Sequence, residues 1–222
     1  VKQLKSIVIA TSDQSGDKQI REFCENEGIT FFAGNEEDVL DRIYKCAKLH
    51  GANPVVRITG DCPLVDPYLV EKLILLYASK DYDHVGIATG AGARNHKQGR
   101  FPDGLDAECT AFNAIEKAWN KATERSDREH VTPYIWLRPK EFRLGEIKAQ
   151  KDYSNFRWTI DNETDFRLIE NIYEALFRQN SVFGMDETLA YLETKPKFKD
   201  LNKTMIGKEG YDDIWNSIKK HS

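Results

Sequence analysis

The sequence lacks any apolar run of the roughly 20 residues that a helix needs to cross a bilayer. Its longest candidate, around residues 73–78, is broken by polar neighbours. An excess of positive charge is missing too, since 32 Lys and Arg stand against 36 Asp and Glu and give a formal net charge of −4. We therefore expect neither a membrane protein nor a general attraction to nucleic acid, and any phosphate site must be local.

Cysteine is scarce, and its spacing excludes two further classes. Cys24, Cys46, Cys62 and Cys109 are separated by 22, 16 and 47 positions and form no Cys-x-x-Cys motif. This spacing fits neither a zinc ribbon nor a disulfide framework. We expect four reduced thiols in a cytoplasmic protein, and a catalytic cysteine is the less favoured alternative.

Short β-branched runs alternate with amphipathic stretches along the 222 residues, a length that supports a real core. The pattern predicts strands at 6–11, 29–33, 54–58, 84–88, 106–112, 142–147 and 156–160. It predicts helices at 17–27, 36–50, 67–79, 113–122, 163–177 and, within a lysine-rich tail over 196–222, at 211–219. Such alternation is typical of βαβ units, so we expect one α/β domain with a doubly wound, mainly parallel sheet between two helical layers.

Residues 89–100 interrupt this pattern. They contain three glycines, three Lys or Arg and one His, and no large apolar side chain. The segment is either a solvated excursion or a flexible lid over a substrate that carries phosphate, because long loops in compact domains often act as lids.

Two aspartates follow predicted strands directly, where ligands of open α/β sheets bind. Asp61 comes after the strand at 54–58 and after Gly60, which lets backbone approach a ligand. Asp161 ends the predicted strand at 156–160. The two carboxylates could converge on Mg²⁺, which takes oxygen ligands. Alternatively, Asp161 is a helix N-cap, a role open to Asn162 as well, and Asp61 holds its own turn.

Other polar clusters surround these positions. Asp103 and Asp106 flank a glycine turn and suit sugar hydroxyls, although Pro-Asp-Gly is also an ordinary turn. The segment 127–130 packs four ionisable residues and would by default be a solvated helix start. However, its His130 stands just before an apolar run, where a buried imidazole needs a partner.

Two arginines are the best-placed cations for an anionic ligand. Arg42 lies in the second predicted helix, and Arg57 lies near the end of the third predicted strand. Each has a simpler interpretation as a member of a salt bridge.

Taken in order and spacing, six segments of the chain resemble the cytidylyltransferase family that includes the spore coat polysaccharide biosynthesis protein F group. More distantly, they are similar to acylneuraminate and KDO cytidylyltransferases. The resemblance implies a nucleotide-diphospho-sugar transferase fold of glycosyltransferase A type. It also implies transfer of CMP from CTP to a sugar or sugar acid, with release of pyrophosphate. The segments are 9–13, 34–42, 57–67, 101–106, 127–134 and 158–161 with Asp165.

The resemblance also implies roles for single residues. Asp61 and Asp161 match aspartates that hold Mg²⁺ in related sugar-acid enzymes, where the cation neutralises phosphate charge. The residues expected near the nucleotide are Gly34, Asp38, Arg42, Arg57 and Gly60. Those expected to face the acceptor sugar are Asp103, Asp106 and His130.

One departure from the family concerns the amino end. Members begin with a strand and a glycine- and basic-rich loop that wraps the triphosphate, whereas residues 1–8 align with the family's second strand. We therefore expect the first strand, that loop and the first helix to be missing, which leaves the sheet without a central strand. Either the sequence is part of a longer protein, or it is a diverged member that cannot bind CTP in the usual way.

Two alternatives to this enzyme stay open. The chain could be a catalytically silent module that binds a nucleotide sugar or serves assembly. A glycosyltransferase ranks last, because its Asp-x-Asp metal motif usually follows a strand, whereas Asp81-Tyr-Asp83 precedes one.

The family also implies a homodimer, and four aromatic residues could serve either an interface or the core: Trp136, Phe142, Phe156 and Trp158.

Overall fold

The computed structural model describes residues 1–89, 99–177 and 182–205. The strands are β1 (Ile9–Ser12), β2 (Phe31–Gly34), β3 (Val55–Ile58), β4 (His84–Ile87), β5 (Ala107–Thr110) and β6 (Leu144–Ile147). The α-helices are α1 (Lys18–Glu27), α2 (Val39–Leu49), α3 (Pro67–Ser79), α4 (Phe112–Lys121), α5 (Arg125–His130), α6 (Pro133–Trp136), α7 (Glu163–Leu176), α8 (Met185–Thr194) and α9 (Pro196–Lys199).

Local signals in the sequence set several of these boundaries. Pro67 occupies the first turn of α3, where no N–H is needed, and the Asp66 carboxylate accepts hydrogen bonds from the next two backbone amides. Helix α1 ends at Gly28, whose φ of 66° is the left-handed conformation that glycine adopts readily. The first six predicted strands and the predicted helices that became α1, α2, α3, α4 and α7 are confirmed.

The main sheet has the strand order β3-β5-β4-β6. β5 is antiparallel to both β3 and β4, and β6 is parallel to β4, so three of these four strands run in one direction. β1 and β2 form a separate parallel pair. The prediction of a mainly parallel sheet in an α/β fold is confirmed.

Among the described residues, β1 and β3 each pair with one strand only. Residues 1–8, ahead of β1, form no strand. That a central strand is missing from the sheet stays a prediction.

Two apolar clusters form the core. One joins α3 and α7 to the main sheet around Leu73, Val85 and Trp158, and the other joins α2 and α4 around Leu40 and Phe142. Trp158 and Phe142 therefore serve core packing, one of the two roles expected for them.

In the described part of the chain, no helix combines the length and apolar character that a membrane crossing requires.

The elements of the structure differ from those predicted at residues 156–160 and beyond residue 184. The prediction of a strand at 156–160 is wrong, because this segment makes only one bridge, between Arg157 and Asp103. Helices α8 and α9 were not predicted. The expected loop is described only at Thr89, Gly99 and Arg100, so residues 90–98 and the predicted helix at 211–219 lie outside the described residues.

Candidate active site

The antiparallel direction of β5 brings three loops to one end of the sheet. The loops that follow β3 and β4 meet the turn that precedes β5, and this turn carries Asp106. The Asp106 carboxylate accepts hydrogen bonds from the hydroxyl of Thr89 and, at 2.9 Å, from the amide of Gly104. This is the strand end at which open α/β sheets bind ligands.

Cys62 lies between two of the predicted carboxylates. Its Sγ is 3.7 Å from Asp61 Oδ1 and 4.0 Å from Asp106 Oδ2. Burial raises the pKa of the Cys62 thiol, and the negative charges of Asp106 and Asp61 raise it further. The protonated thiol is a poor nucleophile, which disfavours the alternative of a catalytic cysteine.

The carboxyl of Asp106 is itself perturbed. Burial raises its pKa, the hydrogen bonds from Thr89 and Gly104 lower it, and the charges of Glu108 and Asp61 raise it. The structure thus brings Asp61 and Asp106 close enough for their charges to interact. A cation at this place would relieve that repulsion.

Asp161 belongs to a second loop at the same place. The backbone amide of Ile160 donates a hydrogen bond of 2.9 Å to the carbonyl of Asp61, which joins the two loops. Asp161 is not the N-cap of α7. That role falls to Asn162, whose Oδ1 accepts from the amides of Thr164 and Asp165.

A buried arginine, Arg157, organises this second loop. Its guanidinium forms ion pairs with Asp103, Asp161 and Asp165, so one cation faces three carboxylates. Burial lowers the pKa of Arg157, but the carboxylates, Asp165 above all, raise it beyond its ordinary value. Asp103, expected to face a sugar, thus also holds Arg157, with 3.1 Å between Oδ2 and Nη1.

The cationic half of the site lies beside β3. Arg57 Nη1 donates to Glu108 Oε2 at 3.1 Å, which confirms its interpretation as a salt-bridge member. Arg42 Nη1 donates to backbone carbonyls, 2.7 Å from that of Asn35, whereas its buried Nε has no hydrogen-bond partner in the described part of the chain. Burial lowers the pKa of Arg42, the charge of Asp17 raises it, and the charge of Arg57 lowers it again. The two guanidiniums therefore repel each other.

Three further residues were expected near the nucleotide, and two of them, Gly34 and Asp38, support the elements around Arg42. A Cβ on Gly34 would lie 3.1 Å from Arg42 Cγ, so glycine allows the arginine to pack closely there. The Asp38 carboxylate caps α2 by accepting from the amide of Asp41, and it pairs with the guanidinium of Arg128 in α5. Gly60 lies exposed in the turn before Asp61.

His130 ends α5 and is half-buried. Burial lowers the pKa of its imidazole, the charge of Glu129 raises it, and the charge of Arg57 lowers it. It thus lies within electrostatic reach of Arg57, on the cationic half of the site. Its contact with a sugar stays a prediction.

Sequence reasoning missed three residues that build the site: Glu108, Thr132 and Arg157. Glu108 and Arg157 are charged positions within apolar segments that were predicted as strands, and this was the available signal. Thr132 lies in the segment 127–134 that carries the family resemblance, but its contact with Glu108 could not be predicted, because the two residues are 24 positions apart in the chain.

The donor set around Asp61 fits Mg²⁺ under one condition. In residues 1–89, 99–177 and 182–205, no group of three or more His, Cys, Asp or Glu side chains is placed to hold a metal. Mg²⁺ is usually bound through one or two carboxylates, with waters and substrate phosphates completing its shell. Asp61 and Asp161, whose loops the Ile160 hydrogen bond joins, would fit this mode if the substrate supplied further oxygens, with Asp161 also paired to Arg157.

A cavity of about 660 Å³ lies at the opposite end of the strands, lined by Asn53 before β3 and by Asp83 before β4. Asp81 and Asp83 both pair with Arg143 there. The Asp-x-Asp segment is therefore remote from the carboxylates around Asp61. This placement disfavours its use as the metal motif of a glycosyltransferase.

Three comparisons relate the chain to known proteins. A family model described as cytidylyltransferase matches residues 1–194. The chain is 32% identical over 208 residues to an uncharacterized protein of Methanocaldococcus jannaschii, covering 92% of this chain and 79% of that protein. It is 31% identical over 198 residues to the spore coat polysaccharide biosynthesis protein SpsF of Bacillus subtilis, and the match covers 88% of this chain and 78% of that protein. The solved structure of a cytidylyltransferase from Leptospira borgpetersenii has the same fold, with a TM-score of 0.76 and 23% sequence identity. The match covers 86% of this chain and 77% of that structure.

Proposed function

The chain belongs to the cytidylyltransferase family, and from this premise we propose that it transfers CMP from CTP to a sugar or sugar acid and releases pyrophosphate, in the biosynthesis of a surface polysaccharide. Its α/β fold is that of the nucleotide-diphospho-sugar transferases, as the motifs predict. The observation that carries the proposal is the position of Arg57, paired with Glu108, at the same strand end as the carboxylates of Asp61 and Asp106.

This arginine and these carboxylates suit the two needs of phosphoryl transfer. In the proposed reaction a sugar oxygen attacks the α-phosphorus of CTP, and the bond from that phosphorus to the bridging oxygen breaks, so that pyrophosphate leaves. Catalysis of this kind depends on positioning and on stabilising negative charge. The buried Nε of Arg42 has no hydrogen-bond partner among the described residues, and the charge of Arg57 opposes that of Arg42, so an anion beside them would satisfy this N–H and offset the repulsion.

The proposal includes Mg²⁺, held by Asp61 and Asp161 together with substrate phosphate oxygens. When bound, the cation supplies neutralising charge at the α-phosphate and at the leaving pyrophosphate. Arg157 supports this role because its ion pair with Asp161 and the hydrogen bond from Ile160 to Asp61 hold both loops in place.

The experiment is a pyrophosphate-release assay with CTP, Mg²⁺ and a panel of sugars and sugar acids, on the chain with any residues that its gene encodes before Val1. Asp61→Ala should lower turnover by orders of magnitude. Asp81→Asn is the matched control, because Asp81 is 94% exposed at the opposite end of the strands and should not affect turnover. Unchanged turnover in Asp61→Ala would overturn the assignment, and CTP binding without turnover would favour a silent binding module.

We also propose a cytoplasmic homodimer. All four cysteines are free and buried, as expected in a reducing compartment. Phe142 and Trp158 lie in the core and Phe156 packs against it, so the aromatic candidate that remains for an interface is Trp136, which is only partly buried. Light scattering coupled to size-exclusion chromatography should give a mass of about twice 25.5 kDa, and the monomer mass would refute the dimer.

A further inference from the structure

The backbone at Val131, between α5 and α6, has an unusual conformation. Val131 has φ 75° and ψ −56°, and the amide of Thr132 donates a hydrogen bond of 2.9 Å to the carbonyl of His130. This is a γ-turn of the rarer, strained form, and a β-branched residue rarely adopts a positive φ. The Val131 side chain is almost fully buried in the cluster around Phe142, and this packing holds the turn in place.

The strained turn places Thr132 over the middle of the sheet. The Thr132 hydroxyl donates a hydrogen bond of 2.5 Å to Glu108 Oε1. The other oxygen, Oε2, accepts from Arg57 Nη1 at 3.1 Å. A chain of hydrogen bonds therefore links Thr132 through Glu108 to Arg57, and each carboxylate oxygen of Glu108 accepts one of these bonds.

The strand register fixes the contact between Arg57 and Glu108 in this chain of hydrogen bonds. Arg57 in β3 and Glu108 in β5 are directly opposite in the antiparallel register, so their side chains lie on the same face of the sheet. Thr132 comes from outside the sheet and fixes the remaining rotation of the carboxylate. The guanidinium of Arg57 is therefore tied through Nη1 to a carboxylate that Thr132 orients, and its side chain remains 20% exposed.

A purely structural role does not account for the strain. Apolar side chains could dock α5 and α6 on the sheet without a strained turn, whereas strained backbone persists mainly where function uses it. We infer that Thr132 and Glu108 are positioning residues, which hold Arg57 where its guanidinium meets the phosphates of the substrate, and that the γ-turn at Val131 places Thr132 for this task. The inference rests on the proposed function for the identity of the substrate, but not for the anion site itself.

The test compares variants that lose a single hydroxyl. Thr132→Val should lower kcat/KM for CTP about tenfold or more and weaken the binding of inorganic tripolyphosphate, measured by calorimetry, by a similar factor. Thr132→Ser keeps the hydroxyl and should restore both values to within about twofold of the parent chain. Thr188→Val is the matched control, because Thr188 is equally buried and its hydroxyl donates to the Gly184 carbonyl within α8.

The two readouts separate this inference from the proposed function. Turnover by the parent chain with equal kcat/KM in Thr132→Val and Thr188→Val would overturn the positioning role and leave the function standing. Weaker tripolyphosphate binding in Thr132→Val, in a chain that turns over no sugar, would support the positioning role against the function. A parent chain that neither binds tripolyphosphate nor turns over CTP would overturn both.

The strain itself is tested with a pair of variants at Val131. Both Val131→Gly and Val131→Ala remove buried methyl groups, but only glycine adopts a φ of 75° without strain. Val131→Gly should therefore melt at a higher temperature than Val131→Ala, the reverse of the usual order. A higher melting temperature for Val131→Ala would contradict the strained turn.

Discussion

The guanidinium of Arg157 and the carboxylate of Asp165 form a paired contact that is almost closed to solvent. Nη2 lies 3.2 Å from Oδ2 and Nε lies 3.3 Å from Oδ1, with the Arg157 side chain 4% exposed and that of Asp165 0% exposed. Asp165 also accepts hydrogen bonds from the amide of Asp161 and from the side chains of Asn162 and Asn202. This pair therefore fixes the loop that carries Asp161.

Asp165→Asn should destabilise the chain strongly. Removing one member of a buried ion pair leaves an uncompensated charge, which costs about 3–5 kcal/mol, and the remaining carboxylates near Arg157 place the expected loss near the lower value. Urea unfolding measures it. The control is Asp161→Asn. Asp161 pairs with the same arginine but its side chain is 55% exposed, so this change should lower the free energy of unfolding by about 1 kcal/mol or less. Equal losses in the two variants would contradict this account.

Gly104→Ala should disrupt the turn that carries Asp106. Gly104 has φ 98°, and a Cβ there would lie 2.5 Å from the backbone carbon of Trp158. Overpacking and backbone strain together should cost about 3 kcal/mol in the free energy of unfolding. Gly60→Ala is the control, since a Cβ there meets nothing within 4 Å, and it should stay within about 0.5 kcal/mol of the parent chain. Similar unfolding curves for both variants would refute the close approach.

Local chemistry explains which elements could be predicted. Helix α3 was predicted with its bounds because the signal at Pro67 acts within one turn, where the cap at Asp66 adds to it. Helix α2 begins at Val39, three residues later than predicted, because the Asn35 side chain accepts from the amides of Glu37 and Asp38 and delays the first helical turn.

The misses depend on distant partners. Helix α8 begins where the Met185 amide donates to Asp66, which is 119 positions away. Residues 157–159 are all buried and resemble a strand, but the burial at Arg157 comes from ion pairs rather than from a ladder. The contact between the loops of Asp61 and Asp161 was expected from two strand ends, although only Asp61 follows a strand. The pairing of Asp38 with Arg128 over 90 positions could not be predicted.

Arg42→Gln should weaken anion binding. Its Nε lacks a partner within the described ranges, and Arg57 repels it, so both features favour an anion there. The variant should therefore bind tripolyphosphate about tenfold more weakly, equivalent to about 1.4 kcal/mol. Titration calorimetry at two salt concentrations measures the affinity and its electrostatic part. Arg21→Gln is the control, because Arg21 Nη1 likewise donates to two backbone carbonyls, those of Ser12 and Gln14. Affinity that falls equally in both variants would count against the site.

His84 should make the stability of the chain depend on pH. It is buried, with Nδ1 2.8 Å from Thr110 Oγ1, and burial lowers the pKa of its imidazole while the charge of Glu108 raises it and that of Arg57 lowers it. The unfolded chain, with an ordinary histidine pKa of about 6.5, therefore binds the proton more readily than the folded chain. The stabilising contribution is present above about pH 6.5 and is lost as the pH falls towards the folded pKa.

His84→Asn removes this titration and keeps a polar group beside Thr110. Between pH 7.5 and 5.5 its free energy of unfolding should fall by about 1 kcal/mol less than that of the parent chain, measured by urea unfolding at each pH. His130, whose pKa is also lowered, titrates in both chains and cancels from the difference. His50→Asn, at the exposed end of α2, should follow the parent curve. Parallel curves for His84→Asn and the parent would show that His84 keeps its ordinary affinity for protons on folding, because only a difference between the two states gives stability a pH slope.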